Sequence, residues 1–282
     1  MSAEYSIAEL AQALDVSRSG YYAWLKRQAV PGPRSLANRR LLGLILLLYQ
    51  EHEGRYGSPR ICASLRRQGY RYGHNRVAKL MRRHGLKAKT KRPFRPRTTD
   101  SAPAIAPNRL AQAPAPQQRD RIWVSDITYV HTEEGWLYLA AVMDLWSRRI
   151  VGWHAANHLQ ASLVEEALKG AVQSRRPAPG LLHHSDRGFQ YTSSAVQALL
   201  TSAKMIPSMS RKGDCYDNAA MESFWSTLKS ELVHGTELRT HREARQALFD
   251  YIELYYNRKR LHSSLDYRSP LEFENANTAN RN

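Results

Sequence analysis

Residues 121–130 read RIWVSDITYV, and their alternation of apolar and polar side chains is that of a half-buried strand. A turn at 132–135 follows, and then two further alternating runs at 136–144 and 149–156, so a three-strand meander with short connections is expected. Beyond the meander the pattern changes. A helix is expected near 161–173, a short apolar strand at 181–184, a helix at 193–203, a strand at 206–209 and a long helix from about 218 to 234. Three antiparallel strands followed by alternating helices and strands describe an α/β domain, a mixed sheet covered by helices.

That element order is the one expected of a ribonuclease-H-like fold, and it gives three carboxylates a common meaning. Asp126 lies inside the first strand between Ser125 and Ile127, a position that strands seldom give to Asp. Such a carboxylate costs free energy unless something neutralises it. Asp186 follows the fourth strand in His183-His184-Ser185-Asp186-Arg187-Gly188, and Glu222 opens the long helix. On that helix Met221, Trp225, Leu228 and Leu232 form the buried stripe, with Glu222 at its edge and Lys229 one heptad further on. In this fold the first and fourth strands are neighbours, about 4.8 Å apart, so Asp126 and Asp186 are expected to share a cation, closed over by Glu222. Oxygen-only ligands suit Mg²⁺ or Mn²⁺, and two such ions about 4 Å apart clamp the attacking and leaving oxygens of a phosphoryl displacement. His183 and His184 invite a zinc reading, but no second ligand cluster accompanies them. Shaping the loop or touching DNA is the expected role, and Trp136, Trp146 and Trp153 are expected in the core.

The front of the chain is chemically different. Of 282 residues with a net charge of +17, residues 1–98 carry 21 basic and 5 acidic side chains, and 99–282 carry 21 and 20. A polycationic block points to a polyanionic partner, nucleic acid or an acidic membrane surface. Ser6-Ile7-Ala8-Glu9 fits a capping box, 15–17 a turn, and a second helix starts near Arg18 and carries Tyr21, Tyr22, Trp24 and Leu25. After a long helix at about 35–53, the outline recurs. Ser58-Pro59 reads as an N-cap followed by proline, and a helix at 75–84 turns Val77, Leu80 and Met81 inward and Arg76, Lys79, Arg82 and Arg83 outward. Two helix-turn-helix outlines in one basic segment point to double-stranded DNA. Arg18, Ser19, Tyr22, Arg76, Lys79, Arg82 and Arg83 are the candidate contacts.

Between these regions, Pro103, Pro107, Pro114 and Pro116 stand among six alanines, and the boundary coincides with the change in charge. The expected organisation is a helix-turn-helix at 1–30, a second basic helical domain at 31–92, a semi-extended linker at 93–118, the catalytic core at 119–235, and a C-terminal helix and basic tail at 236–282. The longest apolar run, 41–49, is too short to span a bilayer, and Met1 is followed by no basic start and apolar stretch. With Cys62 and Cys215 the only cysteines, no disulfide framework is available. A reduced, cytoplasmic, nucleoid-associated protein without a membrane partner is the expectation.

Seven stretches carry a resemblance: VSRSGYYAWLKR at 16–27, YGSPRI at 56–61, RVAKLMRRHGL at 76–86, WVSDITY at 123–129, HSDRGFQYTS at 184–193, SRKGDCYDNAAMESFWSTLKSEL at 210–232 and YYNRKRLHSSLDYRSPLEF at 255–273. With them the chain resembles the second-frame product of transposases of the insertion-sequence-three family, relatives of retroviral integrases. The resemblance implies that Asp126, Asp186 and Glu222 are the catalytic, metal-holding triad and that Lys229 is the basic residue beyond it. It implies two Mg²⁺ or Mn²⁺ ions, recognition of terminal inverted repeats, strand cleavage and strand transfer, and a circular transposon intermediate. His184, Gln190 and Asn218 are expected as auxiliary active-site residues, and Arg258 and Arg260, in a basic stretch that could instead be a solvated tail, as contacts to flanking DNA. A homo-oligomer on DNA follows from the need to bring two ends together, and the upstream-frame product is a possible fusion or partner. Ser125 stands where the family more often has Thr, and the paired His and Cys module of retroviral integrases is absent. A repressor with an inactive integrase-like domain is the non-enzymatic alternative, and a nuclease without strand transfer the enzymatic one.

Overall fold

The structure is a computed structural model and describes residues 5–29, 32–89, 106–210 and 218–279. It divides into two compact units, one ending at Lys89 and one beginning at Thr90. Cys215 and residues 211–217 lie outside the described residues, as do 93–105 of the expected linker.

The first unit is helical. α1 (Ile7–Ala13) opens with the expected capping box, in which the Glu9 backbone N–H donates to Ser6 Oγ and the Ser6 N–H to Glu9 Oε2. α2 (Arg18–Ala29) leaves Tyr22, Trp24 and Leu25 exposed. α3 (Pro33–Glu51), α4 (Ser58–Arg67) and α5 (His74–Arg83) pack on one another through Leu41, Ile45, Leu48, Ile61, Leu65, Val77, Leu80 and Met81. The cap of α4 is Gly57, not Ser58. Ser58 is already helical and its hydroxyl meets His74 Nε2 at 3.0 Å.

The second unit is built on a five-stranded sheet in the order β3-β2-β1-β4-β5. β1 (Ile122–Thr132), β2 (Gly135–Asp144) and β3 (Ile150–Ala156) are antiparallel neighbours, while β4 (Leu182–Ser185) and β5 (Ile206–Met209) run parallel to β1. α6 (Ala161–Arg175), α7 (Phe189–Thr192) and α8 (Ser194–Ser202) cover one face over a core of Trp123, Val142, Leu163, Leu168, Tyr191, Val196 and Leu200. α6 comes so close to β3 that a Cβ on Gly152 would fall 2.3 Å from the Ala167 carbonyl oxygen. α9 (Ala219–Leu228), continued by a π-helical turn at Lys229–Val233, and α10 (His241–Phe249) both pack against β1. A second π-helical turn, Asp250–Tyr256, and α11 (Pro270–Ala279) complete the unit. The mixed α/β sheet preceded by a helical region is the fold expected from the element order.

Three expectations need correction. The proline-rich stretch is not a free linker through its second half: Ala106 is buried in the sheet core, and the Arg109 and Leu110 N–H groups donate to Ser208 Oγ on β5. Nor is 236–282 a separate tail. Asn257 hydrogen-bonds both backbone groups of Ile150, Phe273 packs on Trp146, and Glu274 takes hydrogen bonds from Ser147, Arg149 and Arg175. Trp136, expected in the core, is 49% exposed at the start of β2.

Candidate active site

β1 and β4 are paired from Ile122–Leu182 to Val124–His184, so Asp126 and Asp186 each stand two residues past the last paired position, on the same side of their strands. The Asp126 carboxylate is tied at both oxygens: Oδ1 accepts from the Ile127 N–H at 2.9 Å, and Oδ2 from the Trp225 indole N–H at 2.8 Å. Burial and then the charge of Asp186 push its pKa up to about 7, with these two hydrogen bonds opposing the shift. Asp186 is also raised by burial, against the Gly188 N–H that donates to its Oδ1 at 2.9 Å. A Cβ on Gly188 would come 3.0 Å from that same oxygen and 2.9 Å from Gln190 Oε1, so a larger residue there would displace one of these side chains.

Glu222 is exposed in the first turn of α9, while Met221, Phe224, Trp225 and Leu228 are buried. Its charge is the weakest of the influences acting on Asp126. Asp186 acts on Asp126 more strongly than Glu222 does, and both raise its pKa. Among the described residues no group of three or more His, Cys, Asp or Glu side chains is close enough to hold a metal ion. The two aspartates do fit a hard divalent cation, because an oxygen-only, partly buried pair of mutually repelling carboxylates is the donor chemistry such an ion requires.

Lys229 lies over the Tyr129 ring with Nζ 4.6 Å from its centroid. Burial lowers its pKa and the charge of Asp126 raises it, which puts a cation within reach of the pair. Gln190 is buried and its side chain donates to the Leu159 carbonyl, and Asn218 donates to the Ser125 carbonyl at 3.4 Å. His184, expected beside the acids, is fully buried with Nδ1 2.9 Å from Ser208 Oγ, and His183 meets Ser125 Oγ at 2.8 Å.

Arg258 is exposed, but Arg260 is not a DNA contact. Its guanidinium is buried against Glu231, because only a carboxylate can receive it at that depth. In the first unit Arg18, Ser19, Tyr22, Lys79, Arg82 and Arg83 are exposed, whereas Arg76 donates from Nε to Asn38 Oδ1 and lies over Tyr72. Sequence reasoning placed Trp225 in the core and missed its bond to Asp126. The signal was available, since a buried indole N–H seeks an acceptor and Trp225 stands one turn from Glu222.

Comparisons with known proteins bear on the family. Residues 116–215 and 203–270 match models of the integrase core domain, and 36–94 a model of an HTH-like domain. The chain is 41% identical over 281 residues to the transposase InsF for insertion sequence IS3A of Escherichia coli, covering 98% of this chain and 96% of that one. It is 42% identical over 249 residues to the transposase for insertion sequence element IS904 of Lactococcus lactis, covering 88% and 98%. Its coordinates overlay the HTLV-2 integrase catalytic core domain in complex with magnesium at a TM-score of 0.43 and 15% identity, over 56% of this chain and 98% of that one. An integrase core, an HTH-like unit and near-complete coverage by these relatives place the chain in the insertion-sequence-three family of transposases, DNA-recombining polynucleotidyl transferases.

Proposed function

We propose that Asp126 and Asp186, with Glu222 delivered from α9, form the catalytic centre of this transposase and hold divalent cations, two Mg²⁺ or Mn²⁺ when DNA is bound. The observation that carries this reading is the pair of partly buried, mutually repelling aspartates just past the paired ends of β1 and β4. Bound cations supply charge stabilisation to a phosphodiester in displacement. The chain's own residues do the rest. Asp126 is oriented by Ile127 and Trp225, Asp186 by Gly188, and Lys229 presents positive charge to the non-bridging phosphate oxygens. Water attacks the phosphorus at the transposon end and the 3′ oxygen leaves with a proton. That hydroxyl then attacks a second phosphodiester, so one P–O bond replaces another and no ATP is needed.

The exposed side of α5, with Lys79, Arg82 and Arg83, together with Arg18, Ser19 and Tyr22 of α2, holds the terminal repeats, and Arg258 the flanking DNA. Two ends meet in a homo-oligomer, and the upstream-frame product joins as fusion or partner. Asp186→Asn tests the assignment: strand cleavage and joining should disappear while binding to the element's ends stays within about twofold. Cleavage at the wild-type rate would overturn it.

A further inference from the structure

We propose that Trp225 is a positioning residue for Asp126, its indole N–H holding the carboxylate in the orientation that receives a divalent cation. This rests on the reading of Asp126 and Asp186 as ligands and adds a residue to which neither the family models nor the triad assigns a role.

The geometry is specific. An ionised carboxylate offers about four acceptor positions, and Asp126 uses one on each oxygen, Oδ1 for its own strand at Ile127 and Oδ2 for Trp225. The side chain is thereby pinned from two directions while one position on each oxygen stays open. The indole that does this cannot wander. Trp225 is 7% exposed, its ring lies 4.8 Å from Phe224, and Phe224 lies 4.7 Å from Tyr256. The bond also spans two elements, α9 and β1. Four residues further along the same helical axis, Lys229 rests on Tyr129, three residues along the same strand. These two struts set the position of α9 against β1, and Glu222 rides on α9 one turn before Trp225.

Groups that orient a metal's carboxylate ligand characteristically contribute about 10–100-fold to metal affinity or activity. Two variants isolate the N–H. Trp225→Phe keeps an aromatic ring without the donor. Incorporation of β-(3-benzothienyl)alanine at 225 keeps the bicyclic shape and replaces only N–H with sulfur. Mn²⁺ binding to the full chain, read from the free-ion electron paramagnetic resonance signal, should weaken about 10–100-fold in both. Circular dichroism and binding to the element's ends should match wild type, and strand joining should recover at raised Mn²⁺. Wild-type Mn²⁺ affinity in the benzothienyl protein, or tighter binding because the indole competes with the ion, would overturn the proposal. Asp126→Asn serves as the control. If it too binds Mn²⁺ like wild type, the metal reading of Asp126 fails and the role of Trp225 falls with it, whereas loss of binding in Asp126→Asn with wild-type affinity in the benzothienyl protein overturns the role of Trp225 alone.

Discussion

Arg260→Met distinguishes a buried staple from a DNA contact, two roles that the basic stretch at 258–260 allows. Arg260 donates to Glu231 from Nε at 3.0 Å and from Nη2 at 2.8 Å, and both side chains are 4% exposed. Tyr251 adds its hydroxyl to Glu231 Oε2 at 2.9 Å, and the guanidinium lies over the Tyr256 ring at 5.9 Å. Removing one partner strands the other charge, and for a buried, hydrogen-bonded pair that costs about 3–5 kcal/mol. Because Tyr251 still serves Glu231, the lower half of that range is expected. In a unit of this size such a loss lowers the melting temperature by roughly 6–20 °C. Glu231→Leu/Arg260→Met should regain much of it, since an apolar pair of similar volume replaces a buried ion pair at little cost. Thermal and urea melts of the three proteins measure this, and DNA binding across a salt series supplies the opposing test. Were Arg260 bound to a phosphate, its removal would flatten the plot of log affinity against log salt by about 0.9. Arg260→Met should leave that slope unchanged. A variant that melts like wild type and shows the flatter slope would refute the reasoning.

Three further outcomes follow from groups already described. Asp126, raised to about 7, contributes no cost below about pH 3, where folded and unfolded chains are both protonated, and a growing cost as pH rises to 7. Asp126→Asn should therefore stabilise the protein by about 1–4 kcal/mol at pH 8 and hardly at all at about pH 2.5, and Mg²⁺ should stabilise wild type but not the variant; a gain that ignores pH would contradict this. His183, held neutral by burial with its pKa near 3, contributes stability that is complete above about pH 6.5 and lost as pH falls. His183→Asn should flatten the acid limb of the stability curve, which otherwise falls by up to about 1.4 kcal/mol per pH unit, as denaturant melts at pH 4 to 7 would show. In the first unit, Lys79→Ala and Arg83→Ala should each reduce the salt slope of end binding by about 1 without shifting the melt; an unchanged slope in both would remove α5 from the interface.

What could be read before folding was whatever is local or periodic. The capping box at Ser6 and Glu9 sits within one turn, and the alternation of 121–130 needs only its own strand. Asp126 and Asp186 were legible for a related reason: a charged residue against the strand pattern is conspicuous, and parallel pairing then fixes their separation. The failures share a cause. Nothing near Arg260 in the chain announces that Glu231, 29 residues earlier, will meet it, so a basic run reads as a surface. Ala106 looks like linker because its burial depends on a core and a strand formed a hundred residues away. Trp225 fits the apolar stripe so well that its one polar atom was overlooked.

The same contrast explains how the site is assembled. Asp126 and Asp186 come from paired strands, so the backbone ladder sets their spacing, and removing water from both makes the pair repulsive until a cation arrives. Glu222 has no such constraint. It stands on a helix whose placement depends on side chains: Trp225 on Asp126, Lys229 on Tyr129, and Glu231 on Arg260 and Tyr251. Glu222 is exposed at the start of α9, while Glu231 is buried in the π-helical turn that continues it, held by Arg260 and Tyr251 of the C-terminal segment. The sheet and the C-terminal segment thus both anchor the element that carries Glu222.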